Sequence, residues 1–84
     1  MYRIYNPVTN KYSKGGSSIW SLWSKNGKVW ATMGNLKLHL TMIKDKYYNR
    51  PTLDNYLQDN CVVINVLTNE EFPVKLLIDN PENF

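Results

Sequence analysis

Cysteine, histidine and long apolar runs are scarce in this chain of 84 residues. Its single cysteine, Cys61, cannot form an internal disulfide, whereas small secreted domains usually rely on several. Residues 1–10 lack the apolar core of a signal peptide, and no stretch approaches the roughly 20 apolar residues that span a bilayer. We therefore expect a cytoplasmic protein that is neither secreted nor inserted in a membrane.

The residues that usually catalyse reactions or bind metals are also few. A metal site needs several ligands at close spacing, and His39 and Cys61 lie far apart in the sequence without companions. Cys61 opens an apolar run, where cysteine usually packs as an inert thiol. Gly15-Gly16 fits neither the phosphate-binding loop nor the dinucleotide fingerprint. The sequence predicts no enzyme, no metal site and no cofactor.

Acidic residues are absent from residues 12–43, and charge is divided unevenly along the chain. Residues 1–50 carry nine basic residues against one acidic residue, a net charge of +8, whereas residues 51–84 carry one basic residue against six acidic ones, a net charge of −5. Such an asymmetry favours a positive face for a polyanion, with the acidic half solvated or facing the basic half of another copy. The alternative is that the lysines only solvate strands and turns.

Apolar residues make up 43% of the chain and aromatic residues 13%, which is enough apolar surface to form a core. We expect one folded domain over residues 1–84, with residues 79–84 as a loose tail. Strand-forming runs separated by turn residues predict hairpins. The three predicted pairs are residues 2–5 with 11–13, residues 19–24 with 29–32 across Asn26-Gly27, and residues 61–67 with 74–78.

One amphipathic helix is predicted after the second hairpin. Asn35 is a suitable N-cap, and Pro51 ends the helix. A further short helical turn over residues 52–58 would be capped by Thr52. Apolar residues recur at helical spacing to form a stripe that should pack on the sheet: Leu36, Leu40, Ile43 and Tyr47.

Leu38 and Met42 lie on nearly the opposite side of this helix, where a monomer has no use for them, so they predict a homodimer interface. The order of strands and helix predicts an α+β fold, a small antiparallel sheet of hairpins packed on one amphipathic helix. The residues expected to be buried are Ile4, Trp20, Leu22, Trp30, Leu36, Leu40, Ile43, Tyr47, Val62, Ile64, Leu76 and Ile78.

Basic and aromatic side chains in the first half favour nucleic acid as the ligand. Lysines neutralise phosphates, and exposed aromatic rings stack on unpaired bases. Single-stranded or folded RNA is easier to accommodate than a specific DNA duplex, because no recognition-helix pattern is present. The candidate nucleic-acid-binding residues are Lys14, Lys25, Lys28, Lys37, Lys44, Trp23 and Tyr12.

Three short segments, YSKGG, GKVW and GNLKLHL, resemble a pattern in small accessory proteins of tailed bacteriophages. The resemblance covers about half of the chain. It rests on Tyr12, Ser13, Gly15, Gly16, Gly27, Lys28, Val29, Trp30, Gly34, Leu36, Lys37, His39 and Leu40.

This resemblance implies a protein that acts in the host cytoplasm during infection. Such proteins often bind a host factor or nucleic acid. One of similar size and basic character is the phage RNA-binding inhibitor of a toxin-antitoxin ribonuclease. The expected function is therefore RNA binding that counters a host defence, with RNA and a host toxin as partners. The alternative is a non-catalytic inhibitor that docks its basic face on an acidic host enzyme without binding nucleic acid.

Overall fold

The computed structural model describes residues 1–16, 22–45 and 50–83, and it shows five antiparallel strands and three helices. The predicted α+β class is confirmed. The sheet has the order β3-β2-β1-β4-β5. Its strands are β1 (Tyr2–Asn6), β2 (Lys11–Ser13), β3 (Trp23–Ser24), β4 (Val62–Asn65) and β5 (Glu71–Pro73). The helices are α1 (Met33–Asp45), α2 (Arg50–Gln58) and α3 (Val74–Asp79), and Pro81–Asn83 forms a 3-10 turn in the stretch predicted as a loose tail.

The first hairpin, β1 with β2, forms as predicted. Its turn is held by the side chain of Asn6, whose Oδ1 accepts hydrogen bonds from the amides of Val8 (2.8 Å) and Thr9 (3.2 Å). Asn10 closes the turn at φ 59°, a left-handed conformation that asparagine tolerates better than most residues. Local turn chemistry therefore explains this part of the sheet.

The predicted hairpin across Asn26-Gly27 is wrong. The described part of its first arm is residues 22–24, of which Trp23–Ser24 pairs with β2 instead, and residues 19–21 lie outside the described residues. Its second arm forms no strand. The backbone of Trp30 makes a single antiparallel bridge with Tyr2, with both N–H···O distances 2.8 Å. Because β2 is short, the edge of β1 at Tyr2 is free for this bridge.

Helix α1 begins about one turn earlier than predicted. Thr32, not Asn35, is the N-cap, because Thr32 Oγ1 accepts a hydrogen bond from the amide of Asn35 at 3.1 Å. The predicted apolar stripe is confirmed for Leu36, Leu40 and Ile43, which are buried. Each such side chain contributes about 2 kcal/mol by leaving water. Tyr47 lies outside the described residues.

The last predicted strand, residues 74–78, is a helix. Val74, Leu77 and Ile78 have helical spacing and are buried together, whereas Leu76 is 44% exposed, contrary to prediction. Strand β4 instead pairs with the short β5, which ends at Pro73. A run of apolar residues fits either structure, and here burial of one helical face is favoured.

Two further predictions for the second half are wrong. Thr52 does not cap α2 but is fully buried inside it. In β4 the buried residue is Val63, while Val62 and Ile64 are half-buried, so the predicted alternation is shifted by one residue. The other expected core residues that fall in described positions are buried, and Trp20 lies outside them.

Candidate nucleic-acid interface

The strand register divides side chains between the two faces of the sheet. Ile4 lies opposite Val63, and both are completely buried in the core that the helices share. Alternation along a strand therefore places Arg3 and Tyr5 on the other, open face. Tyr12 joins them there because it pairs directly with Tyr5. We call Arg3, Tyr5 and Tyr12 the tyrosine platform.

Within the tyrosine platform, Tyr12 contacts both Tyr5 and Arg3. The ring centroids of Tyr5 and Tyr12 are 5.3 Å apart with planes at 54°, and the guanidinium carbon of Arg3 lies 5.1 Å from the centroid of Tyr12. The hydroxyl of Tyr5 donates a hydrogen bond to Asn10 Oδ1. Arg3 Nε is shielded from solvent and has no hydrogen-bond partner. Arg3 is thus a planar cation over the ring of Tyr12, and side chains of these two kinds stack on bases and attract phosphate.

The segment after β3 packs closely against Tyr12. Gly27 has φ 63°, and a Cβ at this position would overlap the Cβ of Tyr12 and lie 2.8 Å from the carbonyl oxygen of Ser13. The amide of Lys28 then donates to that same oxygen at 2.7 Å. Glycine is required here by the close approach, and the result is a fixed edge beside the platform.

The predicted lysines do not form one cluster. Lys14 follows β2 and Lys25 follows β3, so these two lie at opposite ends of the β2–β3 pair next to Tyr12. Lys37 and Lys44 line a small groove between α1 and α3, on the helical side of the molecule. Lys28 lies over the ring of Trp30, with Nζ 5.4 Å from its centroid.

Most of this positive charge is uncompensated. Within residues 1–16, 22–45 and 50–83 the one ion pair joins Arg50 and Asp54 at 3.1 Å, both exposed on α2. The described lysines and Arg3 therefore have no carboxylate partner in that part of the chain. Unpaired cations of this kind are available for phosphate groups, at a strength that falls as salt increases.

Trp23 is held in place by the core rather than standing free. Its Nε1 donates to Asn55 Oδ1 at 2.7 Å, and its ring meets the edge of Tyr56 at 5.7 Å and 73°. The amide of Asn55 donates in turn to Asp59 at 2.8 Å. The half-buried ring of Trp23 thus connects β3 to α2. Of the two aromatic residues predicted to stack on bases, Tyr12 lies on the open face and Trp23 does not.

A chain of hydrogen bonds crosses the core beneath the sheet. The amide of Gly15 donates to Ser13 Oγ at 3.1 Å, Ser13 Oγ lies 2.6 Å from the hydroxyl of Tyr56, and that hydroxyl lies 3.1 Å from His39 Nε2. Burial raises the pKa of Tyr56 well above its usual range. Burial and the nearby Lys28 lower the pKa of His39 to about 4, so the imidazole is neutral at pH 7.

His39 also forms one wall of a groove of about 550 Å³, which lies between α1 and the segment from Lys28 to Ala31. We call it the α1 groove. Its other lining residues include Trp30, whose ring centroid is 5.1 Å from that of His39, and the predicted dimer residues Leu38 and Met42. Several residues of the bacteriophage pattern therefore meet at this groove.

Cys61 is buried and its thiol is unreactive at neutral pH. Burial and the nearby Asp59 raise the pKa of Cys61 to about 12, so the thiolate is scarce. Within the described residues, no three His, Cys, Asp or Glu side chains come together as metal ligands.

Arg3 and Tyr5 were missed by sequence reasoning. The available signal was that Arg3 and Tyr5 alternate with Ile4 in YRIY and so share one face of the strand. That signal becomes informative only once β1 is paired with β2 and its buried face is known. Among the helices of the described residues, none has the length and apolar character needed to cross a bilayer. Comparison with protein-family models, curated proteins and solved structures finds no match to this chain.

Proposed function

We propose that this chain is an RNA-binding protein of a tailed bacteriophage, which acts in the host cytoplasm to counter a defence system such as a toxin-antitoxin ribonuclease. The observation that supports RNA binding is the tyrosine platform, where Arg3 lies over the ring of Tyr12, next to Tyr5, without a carboxylate partner among the described residues. The bacteriophage origin and the defence target rest on the resemblance of the sequence pattern alone.

Single-stranded RNA fits this surface by simple contacts. An unpaired base stacks on the ring of Tyr5 or on the outer side of the Arg3 guanidinium, while the neighbouring phosphate faces that cation. Lys14 and Lys25 extend the positive charge along the adjacent β2–β3 edge. Stacking of this kind tolerates any base. We therefore expect an affinity that depends strongly on salt concentration and only weakly on RNA sequence.

The proposal is tested by fluorescence anisotropy with a labelled single-stranded RNA of about 12 nucleotides, a length within the range that one small binding domain covers. The double variant Arg3→Gln with Tyr5→Leu removes the cation and one ring but keeps apolar bulk on the strand. Since one base stack is worth about 1–3 kcal/mol, we expect affinity to fall about tenfold or more. Arg3→Lys keeps the positive charge but lacks the planar group, so its affinity for RNA should lie between those of the wild type and the double variant.

Lys75→Gln is the matched control, because it removes one exposed positive charge from α3, which is not part of the tyrosine platform. Circular dichroism verifies that each variant is folded. Equal affinities for the wild type and the platform variant would contradict RNA binding at this surface. Wild-type protein that purifies free of RNA and binds no oligonucleotide would instead favour the alternative, a non-catalytic inhibitor of an acidic host enzyme.

A further inference from the structure

Exposed apolar side chains concentrate at one end of the molecule. Seven large apolar residues are exposed among the described residues, and Val8 and Leu76 are the two that lie elsewhere. The other five are Met1, Leu38, Met42, Val66 and Leu67. Scattered single residues of this kind are ordinary, whereas a group of five at one end marks an interaction surface.

Backbone hydrogen bonds connect the parts of this surface. The amide and carbonyl of Tyr2 both pair with Trp30, which lines the α1 groove. On the other side of the same strand, the amide of Val66 donates to the carbonyl of Met1 at 2.9 Å. The start of β1 therefore lies between the α1 groove and the turn that joins β4 to β5.

That turn presents Leu67 in a fixed conformation. Asn65 Oδ1 accepts hydrogen bonds from the amides of Leu67 (3.0 Å) and Thr68 (3.4 Å), and the amide of Asn69 donates to the carbonyl of Asn65 at 2.7 Å. Leu67 is 75% exposed, the highest value among the large apolar residues described. Because these hydrogen bonds already order the backbone of the turn, burial of Leu67 in an interface costs less conformational entropy than ordering a free loop would.

The α1 groove complements this turn in apolar character and charge. Leu38 and Met42 are 60% and 53% exposed at its rim, and methionine adapts readily to a partner's surface. Its charged lining residue is Lys28, and no acidic residue lines it. Glu70 and Glu71, which follow Leu67 in the turn and at the start of β5, are exposed and have no described cationic partner.

We propose that two copies of this chain associate about a two-fold axis, with Leu67 of each copy in the α1 groove of the other and Glu70 and Glu71 facing Lys28 of that copy. Because turn and groove lie on either side of β1 at one end, both contacts form together and close a dimer rather than a filament. This inference does not rest on the proposed RNA binding.

Light scattering of ribonuclease-treated protein at low salt tests the dimer. The wild type should have twice the 9.9-kDa mass of one chain. Leu67→Asp should be a monomer with an unchanged circular dichroism spectrum, since Leu67 makes no core contact. The matched control is Val8→Asp, in the β1–β2 turn and 70% exposed, which should remain a dimer. A monomeric wild type, or a dimeric Leu67→Asp variant, would overturn the proposal.

A charge exchange tests the pairing itself. Lys28→Glu alone, and Glu70→Lys with Glu71→Lys alone, each place like charges in both contacts and should weaken the dimer at least about tenfold. In an equimolar mixture both contacts of the mixed dimer are attractive again, so a mass of two chains should return. Failure of the two variants to associate with each other would contradict the proposed geometry.

Discussion

Tyr56 shows how one side chain ties three elements together. It lies on α2, is completely buried, and its hydroxyl meets Ser13 from β2 and His39 from α1. A buried polar network of this kind is stabilising only while every member has a partner, because an orphaned group has already lost its water. The hydroxyl of Tyr56 is therefore the centre of the polar core.

Removing that hydroxyl should be costly. Tyr56→Phe leaves His39 Nε2 without its Tyr56 partner and Ser13 Oγ with only the amide of Gly15, and we expect the free energy of unfolding to fall by about 1–3 kcal/mol. Urea denaturation measures this difference. Tyr5→Phe is the control, because its hydroxyl bonds to Asn10 in an exposed position and its loss should cost about 0.5 kcal/mol or less. Equal stability of Tyr56→Phe and the wild type would show that the network contributes little.

His39 should make stability depend on pH. Burial and Lys28 lower its folded pKa from 6.5 to about 4, so between these values the unfolded chain binds the proton and the folded protein does not. The free energy of unfolding therefore falls as pH decreases from about 6.5 towards 4. His39→Gln, which lacks a titrating group, should lose less stability over this window in parallel urea titrations. Identical pH profiles for the two proteins would exclude His39 as the cause.

Among the elements, those with local signals were predictable and those with distant partners were not. The β1–β2 hairpin and the buried stripe of α1 follow from turn chemistry and helical spacing within a few residues. Asn26-Gly27 carries an equally strong turn signal, yet the chain beyond it pairs with Ser13 and Tyr2. The strand edge with which this segment pairs depends on the length of β2, and no local sequence pattern determines that length.

The start of α1 also could not be predicted from residue types alone. Thr32 and Asn35 are both suitable caps by residue type, and the position of the first turn decides between them. Thr32→Ala should lower the free energy of unfolding by about 1 kcal/mol, because the amide of Asn35 loses its acceptor. Asn35→Ala should cost less. Thermal or urea unfolding of both variants checks this, and a larger loss for Asn35→Ala would contradict Thr32 as the cap.

At the scale of the whole molecule, composition favours a kind of ligand but does not locate a surface for it. The uneven charge and the aromatic content predict a polyanion as ligand, with Tyr12 among the candidate residues, and this stays a prediction. The fold then separates the predicted lysines, with Lys37 and Lys44 on the helical side and Lys25 beside the sheet. Arg3 joins Tyr12 only through strand register, which links residues far apart in the sequence.

The two proposals place different partners on different parts of the molecule. RNA is assigned to the open face of the sheet, and the second copy to the end formed by Leu67 and the α1 groove. A dimer built in this way carries two tyrosine platforms, so a longer RNA that reaches both would bind more tightly than one that reaches a single platform.

The most direct test is a nuclear magnetic resonance titration of ribonuclease-treated protein with a short single-stranded RNA. We expect chemical-shift changes at Arg3, Tyr5 and Tyr12 that weaken as salt is raised, with Lys75 on α3 unaffected. No shifts at the tyrosine platform, or shifts confined to the helical side, would contradict the account.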